Sequence, residues 1–177
     1  IYYANGIEIK DHNWQRGGYG KITIQQGLAV DSEIAVYKTL VKAFANEQSY
    51  QSQLRKIGIE LDSLNTIKML TLYNTIARND GKFANKHNVD SLKQALEYVV
   101  TDGLGQPAKS DKVKVAGKNG TIQLADGSYI IEFCGYFPVD NPQYSIIVSI
   151  HKEGLPISSG LMAGDVFRQI SDYMVTY

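Results

Sequence analysis

Only one cysteine, Cys134, stands among the 177 residues, so no internal disulfide is possible. It sits inside an apolar run and reads as a small core residue, not a reactive thiol. Histidine is scarce as well. His12, His87 and His151 stand apart, so no Cys/His cluster suggests a metal, and no cofactor is expected. No apolar run approaches the roughly 18 residues of a membrane-crossing helix, and no membrane contact is expected from this segment. Neither sign of charge prevails, with 18 Lys and Arg against 18 Asp and Glu, which gives no footprint for nucleic acid or an anionic surface. The 12 tyrosines are spread along the chain and form no stacking platform for single strands. There is no internal repeat, low-complexity tract, linker or signal-peptide pattern, the last as expected where an N-terminus is internal to a longer protein. With 44% hydrophobic residues the chain is long enough to bury a sizeable core as one domain over 1–177.

The most informative stretch present is Val115-Ala116-Gly117-Lys118-Asn119-Gly120-Thr121-Ile122-Gln123. Lys118 supplies a cation beside a β-run, Gly120 lets another backbone lie close, and Thr121 offers a hydroxyl. Together they suit an extended peptide added to a strand edge, with its carboxylate at the cationic end. The same four residues, Lys118 to Thr121, also read as a type I′ hairpin turn around Asn119-Gly120. Both readings stand at this level.

The rest of the pattern is coarse but regular. Residues 1–25 read as extended and turn-rich. Helices are expected over 26–46, over 48–56 closed by Gly58, over 64–77 ending at Asn79-Asp80-Gly81, and over 91–100 capped by Asp90 or Ser91. Leu92, Leu96 and Val99 of the last are expected to face inward. Strands are expected at 129–136 and 144–150, with a turn at Pro138-Val139-Asp140-Asn141-Pro142. A closing helix over 161–177 carries Leu161, Met162, Val166, Phe167, Ile170 and Met174 at helical spacing. The fold class is therefore α+β. An antiparallel sheet within 112–150 has the C-terminal helix on one face, and Ile130, Phe133, Ile146 and Val148 supply that apolar face; the helices of 26–100 lie on the other side or end.

Several of these stretches resemble class B penicillin-binding proteins in the family's order. Phe133-Cys134-Gly135-Tyr136-Phe137-Pro138 with Asn141-Pro142-Gln143-Tyr144-Ser145 is similar to their second strand and turn. Gly160-Leu161-Met162-Ala163-Gly164-Asp165-Val166-Phe167 is similar to the start of their closing helix. Gly17-Gly18-Tyr19-Gly20-Lys21-Ile22-Thr23-Ile24 resembles the lead-in to their second motif, and residues 72–82 the helix that follows it. The resemblance implies the β-lactamase/transpeptidase-like fold. It makes Lys118 the lysine of the family's Lys-Thr-Gly motif, with Asn119 in place of threonine, and Gly120 and Thr121 beside the substrate. Leu104, in Gly103-Leu104-Gly105, departs from the family's Gly-Thr-Gly type loop.

The family's chemistry needs Ser-x-x-Lys, then Ser-x-Asn, then Lys-Thr-Gly; the first serine attacks a carbonyl and a lysine takes its proton. No Ser-x-x-Lys is expected in the chain, since Ser32 leads to Ala35, Ser49 to Ser52 and Ser110 to Val113, and Ile1 is expected to correspond to a point after the nucleophile. In Ala29-Val30-Asp31-Ser32-Glu33-Ile34-Ala35 the resemblance places Asp31 at the second-motif serine and Glu33 at the asparagine, with Ser32 between. Asp31 and Glu33 read equally well as an acidic first helical turn. A carboxylate accepts but does not donate, so Glu33 lacks the donor that a peptide carbonyl needs. The resemblance also implies that Asp31 lies near Lys118, with Glu33 close by, as an ion-pair clamp.

The resemblance implies the C-terminal part of a transpeptidase domain of peptidoglycan synthesis, non-catalytic in this chain. The alternative is an active D,D-transpeptidase in the intact parent, acting through an upstream serine. The implied partners are the peptidoglycan stem peptide or other cell-wall synthesis proteins. The implied place is the periplasmic face of the bacterial inner membrane, anchored by an N-terminal segment outside this chain. A sheet edge and helix face left uncovered would favour self-association.

Overall fold

Ile131, Phe133 and Phe137 stand an even number of residues apart, and in a strand that spacing sends all three side chains to one face. In the computed structural model, which describes every residue except 5, 61–64 and 82, they do so at the centre of a three-stranded sheet. Its strands are β3 (Ala116–Gln123), β4 (Tyr129–Phe137) and β5 (Tyr144–Lys152), antiparallel in that order. Phe133 pairs with Asn119 on one side and Val148 on the other. All three strands belong to the unit Leu64–Tyr177, one of two into which the chain divides; the other is Ile1–Ser63.

Within the larger unit both sheet faces are covered by helices. On one face Ile131, Phe133, Phe137, Ile146, Val148 and Ile150 pack with Phe167 and Met174 of the closing helix. On the other, Ala116, Cys134, Tyr136 and Ile147 pack with Tyr73, Ile76, Ala77, Val89 and Leu96 from two helices of residues 66–102. The antiparallel sheet and the C-terminal helix on one face are as expected, with one correction. Ile130 is an odd number of residues from Phe133 and so faces the opposite side; Ile131 takes the place expected for it. Cys134 is buried with a thiol pushed up to about 12 by desolvation, so it stays a protonated core group.

Helix boundaries moved where capping overrides apolar period. In the larger unit α4 is Thr66–Arg78 and ends on Asn79 in the left-handed region (φ 46), as the Asn-Asp-Gly cluster suggested. Leu64, expected as its first residue, and Lys82 lie outside the described residues. Helix α5 runs Lys86–Asp102 and is capped by Asn85, whose side chain accepts from the Asn88 amide at 2.9 Å. Asp90 and Ser91 are interior to it. The polar first turn Lys86-His87-Asn88 carries no apolar period and hid the true start. Leu96 and Val99 are buried and Leu92 packs against the core, as expected. The closing helix is α6 (Asp165–Met174), preceded by a π-helical turn, Gly160–Gly164. That wider turn shifts the register, so Leu161 and Val166, two of the apolar residues at helical spacing, are exposed at 68% and 39%. A Cβ on Gly160 would stand 2.3 Å from the Leu104 carbonyl oxygen, which is why glycine occupies the entry.

The unit Ile1–Ser63 holds a hairpin of β1 (Tyr2–Ala4) and β2 (Ile7–Ile9), too short to show in the sequence pattern. The helix expected over 26–46 is two helices, α1 (Ile24–Ala29) and α2 (Glu33–Ala43). The break is at Asp31, with φ 54, followed by Ser32 as the cap of α2. Helix α3 (Glu47–Lys56) is followed by Gly58 in the left-handed region.

Candidate functional site

Lys118, Asn119, Gly120 and Thr121 all lie inside β3, opposite Cys134, Phe133, Glu132 and Ile131. The hairpin-turn reading of these residues is therefore wrong. The turn comes later: the Leu124 amide donates to the Ser128 carbonyl at 2.8 Å, and Gly127 takes φ 85. An Asp126-Gly127 step satisfies the turn, which leaves Asn119-Gly120 free to continue the ladder.

Asn119 is buried and uses both ends of its amide. Its Oδ1 accepts from Lys118 Nζ at 3.1 Å, while its Nδ2 donates to Ser159 Oγ at 3.1 Å. Lys118 Nζ also donates to the Asn119 main-chain oxygen at 2.9 Å. Ser159, directly before the π-helical turn, is buried too; it bore no sequence signal beyond its place in the helix entry. The strand lysine is thus tied to the next residue, and that residue to the lead-in of the closing helix. Gly120 and Thr121 are exposed, and a Cβ on Gly120 meets nothing within 4 Å among the described residues. The close approach is made instead by Gly117 and Gly135, opposite each other in the ladder, where added Cβ atoms would stand 2.6 Å from the Cys134 and Ala116 carbonyl oxygens.

In the N-terminal unit Asp31-Ser32-Glu33 forms a turn held by a residue the sequence pattern did not single out. Ser32 is buried; its Oγ donates to the Asp11 carboxylate at 2.9 and 3.0 Å and accepts from the Ala35 amide at 3.0 Å. The Ile34 amide donates to the same Asp11 carboxylate at 3.1 Å. Asp11 is buried at the N-terminus of α2, where a carboxylate meets two otherwise orphaned donors. Tyr19 steadies the turn from the side. Its hydroxyl donates to the Val30 carbonyl at 3.3 Å and lies 2.7 Å from His12 Nε2, and burial raises its pKa. Asp31 and Glu33, on either side of Ser32, are exposed. An aspartate in a turn-rich entry has no periodicity, so only the folded contact reveals Asp11.

One Ser-x-x-Lys spacing does occur in the chain, in Ser149-Ile150-His151-Lys152, after the other two motifs. It lies on β5, where residues three apart point to opposite faces, so this hydroxyl and ammonium cannot converge as on one helix face. Asp126, Ser128 and His151 are likewise the right types in the wrong order. Ser128 Oγ donates to Asp126 Oδ1 at 2.6 Å and lies 3.0 Å from His151 Nε2. The serine proton goes to the carboxylate, whereas a nucleophile needs its base next to it and the carboxylate behind the base. No group of His, Cys, Asp and Glu that could hold a metal occurs among the described residues.

Residues 15–172 match the penicillin-binding protein transpeptidase domain, and the chain belongs to that family. Within it the similarities run to FtsI and penicillin-binding protein 3 homologues. It is 33% identical over 88 residues to the peptidoglycan D,D-transpeptidase FtsI homolog of Mesostigma viride, covering 45% of this chain and 15% of that protein. It is 37% identical over 65 residues to stage V sporulation protein D of Bacillus subtilis, covering 33% and 10%. The chain thus spans no more than 15% of the length of either relative. Among solved structures, the transpeptidase domain of FtsI4 from Legionella pneumophila superposes with a TM-score of 0.76 at 22% identity, covering 86% of this chain and 69% of that one. The corresponding domain of Burkholderia pseudomallei penicillin-binding protein 3 gives 0.52 at 22% identity, covering 59% and 39%. At these identities the likeness is one of fold.

Proposed function

We propose that this chain is the C-terminal part of a transpeptidase domain of peptidoglycan synthesis that keeps the fold and has given up acyl transfer. Its role is then to capture a stem peptide along β3 or to dock other cell-wall synthesis proteins, at the periplasmic face of the inner membrane. The observation that carries this reading is Asn119. Its buried amide is engaged at both ends, and Lys118 Nζ is tied to this residue by two donated hydrogen bonds. The second motif supports the same reading, because the Ser32 proton is held by Asp11 in a helix cap. The second reading, an active enzyme in a longer parent with its serine upstream, is favoured by the preserved sheet and the open position at Gly120.

Intact-mass spectrometry after incubation with benzylpenicillin separates the two. The chain gains no covalent adduct, and neither does Asn119→Thr, which restores the family's Lys-Thr-Gly without supplying a nucleophile. A stoichiometric mass increase mapping to Ser32, Ser149 or any other serine here would overturn the proposal. An adduct on the longer parent, at a serine outside these residues, would establish the second reading.

A further inference from the structure

A groove of about 790 Å³ in the N-terminal unit is lined by the Gly17-Gly18-Tyr19-Gly20-Lys21 loop, the first residues of the chain and one face of α2. Three lysines stand around it: Lys21, Lys38 and Lys42. Lys38 and Lys42 are one helical turn apart, a spacing at which like charges repel. Among the described residues no carboxylate pairs with any of the three, whereas Lys10, Lys114, Arg78 and Arg168 each have an acidic partner. Asp11, the one carboxylate in the lining, is turned to Ser32 and Ile34. Lys38 Nζ sits 4.6 Å over the Tyr2 ring, which orients its ammonium. Ile22, Ile24 and Ile34 add apolar surface to the same lining.

We propose that this groove binds a short acidic and apolar segment of a partner protein, its carboxylates meeting Lys21, Lys38 and Lys42 and its apolar side chains meeting the three isoleucines. The inference does not depend on the reading of the β3 site. Charge complementarity selects the occupant: three unneutralised ammoniums beside apolar surface call for a ligand that is both anionic and apolar. The volume lies in the range of clefts that take compact ligands, roughly 300–1,000 Å³. A nucleic acid would want an open aromatic face, and Lys38 already covers that of Tyr2. A membrane would want a broad cationic surface, and the chain as a whole carries equal numbers of both charges.

The test is fluorescence anisotropy with a labelled peptide alternating glutamate and leucine, set against a lysine–leucine peptide, a single-stranded oligonucleotide and phosphatidylserine vesicles. The acidic peptide binds, more weakly as salt is added, and loses about tenfold in affinity when Lys38→Gln and Lys42→Gln are combined. Both lysines are exposed, so circular dichroism of the variant matches that of the parent. Replacing Lys86 and Lys109, exposed lysines of the other unit, by glutamine leaves binding unchanged. Equal binding of the lysine–leucine peptide, or equal losses from both pairs of substitutions, would overturn the proposal. So would tighter binding of the oligonucleotide or the vesicles that depends on Lys38 and Lys42, which would assign the groove to a different partner.

Discussion

Phe167→Ala destabilises the larger unit by about 3–5 kcal/mol, the range for removing a fully buried phenylalanine. Phe167 has no exposed surface and is an anchor of α6 on the sheet. Its ring lies 4.8 Å from Phe133 and 5.8 Å from Phe137, centroid to centroid, the second contact nearly edge-to-face at 85°. Such contacts add to the area term, and the close-packed surroundings cannot collapse fully around the void. The effect should reach the candidate site. Ser159 leads into the turn that precedes α6, so loosening α6 loosens the Ser159–Asn119 bond and the hold on Lys118. Denaturant unfolding measures the energy, and amide exchange at Asn119 and Phe133 measures the spread. A loss under about 1 kcal/mol, or unchanged exchange on β3, would show that α6 does not brace the strand.

Asp11→Ala costs about 1.5–3 kcal/mol, the scale for a buried hydrogen bond to a charged group. The carboxylate receives the Ser32 hydroxyl and the Ile34 amide, and among the described residues those two donors have no other acceptor. Truncation leaves a buried hydroxyl, an orphaned first-turn amide of α2 and a left-handed Asp31 with less to hold it. Asp11→Asn keeps a carbonyl acceptor and should lose clearly less. Exchange of the Ile34 and Ala35 amides is the local readout, since the damage should begin at the start of α2. Full stability in Asp11→Ala, or loss spread evenly over α1 to α3, would remove Asp11 from its place at the start of α2.

How legible each part was follows from the range of the interaction that decides it. The strands 129–137 and 144–152 showed in β-branched and aromatic runs, because a buried strand needs apolar side chains over consecutive turns of the pleat. Helix ends showed only where a left-handed residue stops the chain, as at Asn79 and Gly58. They were misjudged where a cap precedes a polar turn, as at Asn85, or where a π-helical turn shifts the register, as before Asp165.

By itself the sequence determined the α+β class, the two long strands and the closing helix. Each of these is written in local residue types and in spacing along the chain. Folding alone decided whether Lys118-Asn119-Gly120-Thr121 turns or continues, because the type I′ signal of Asn-Gly is weaker than pairing with a central strand and burial of Asn119 against Ser159. Folding alone also brought Asp11 to Ser32, 21 residues away, and Ser159 to Asn119, 40 away. A hydrogen bond between groups so far apart leaves no periodicity in either segment. Its donor and acceptor are chosen by where the surrounding helices and strands place them, and only then does a lysine on a strand become one tied to an amide.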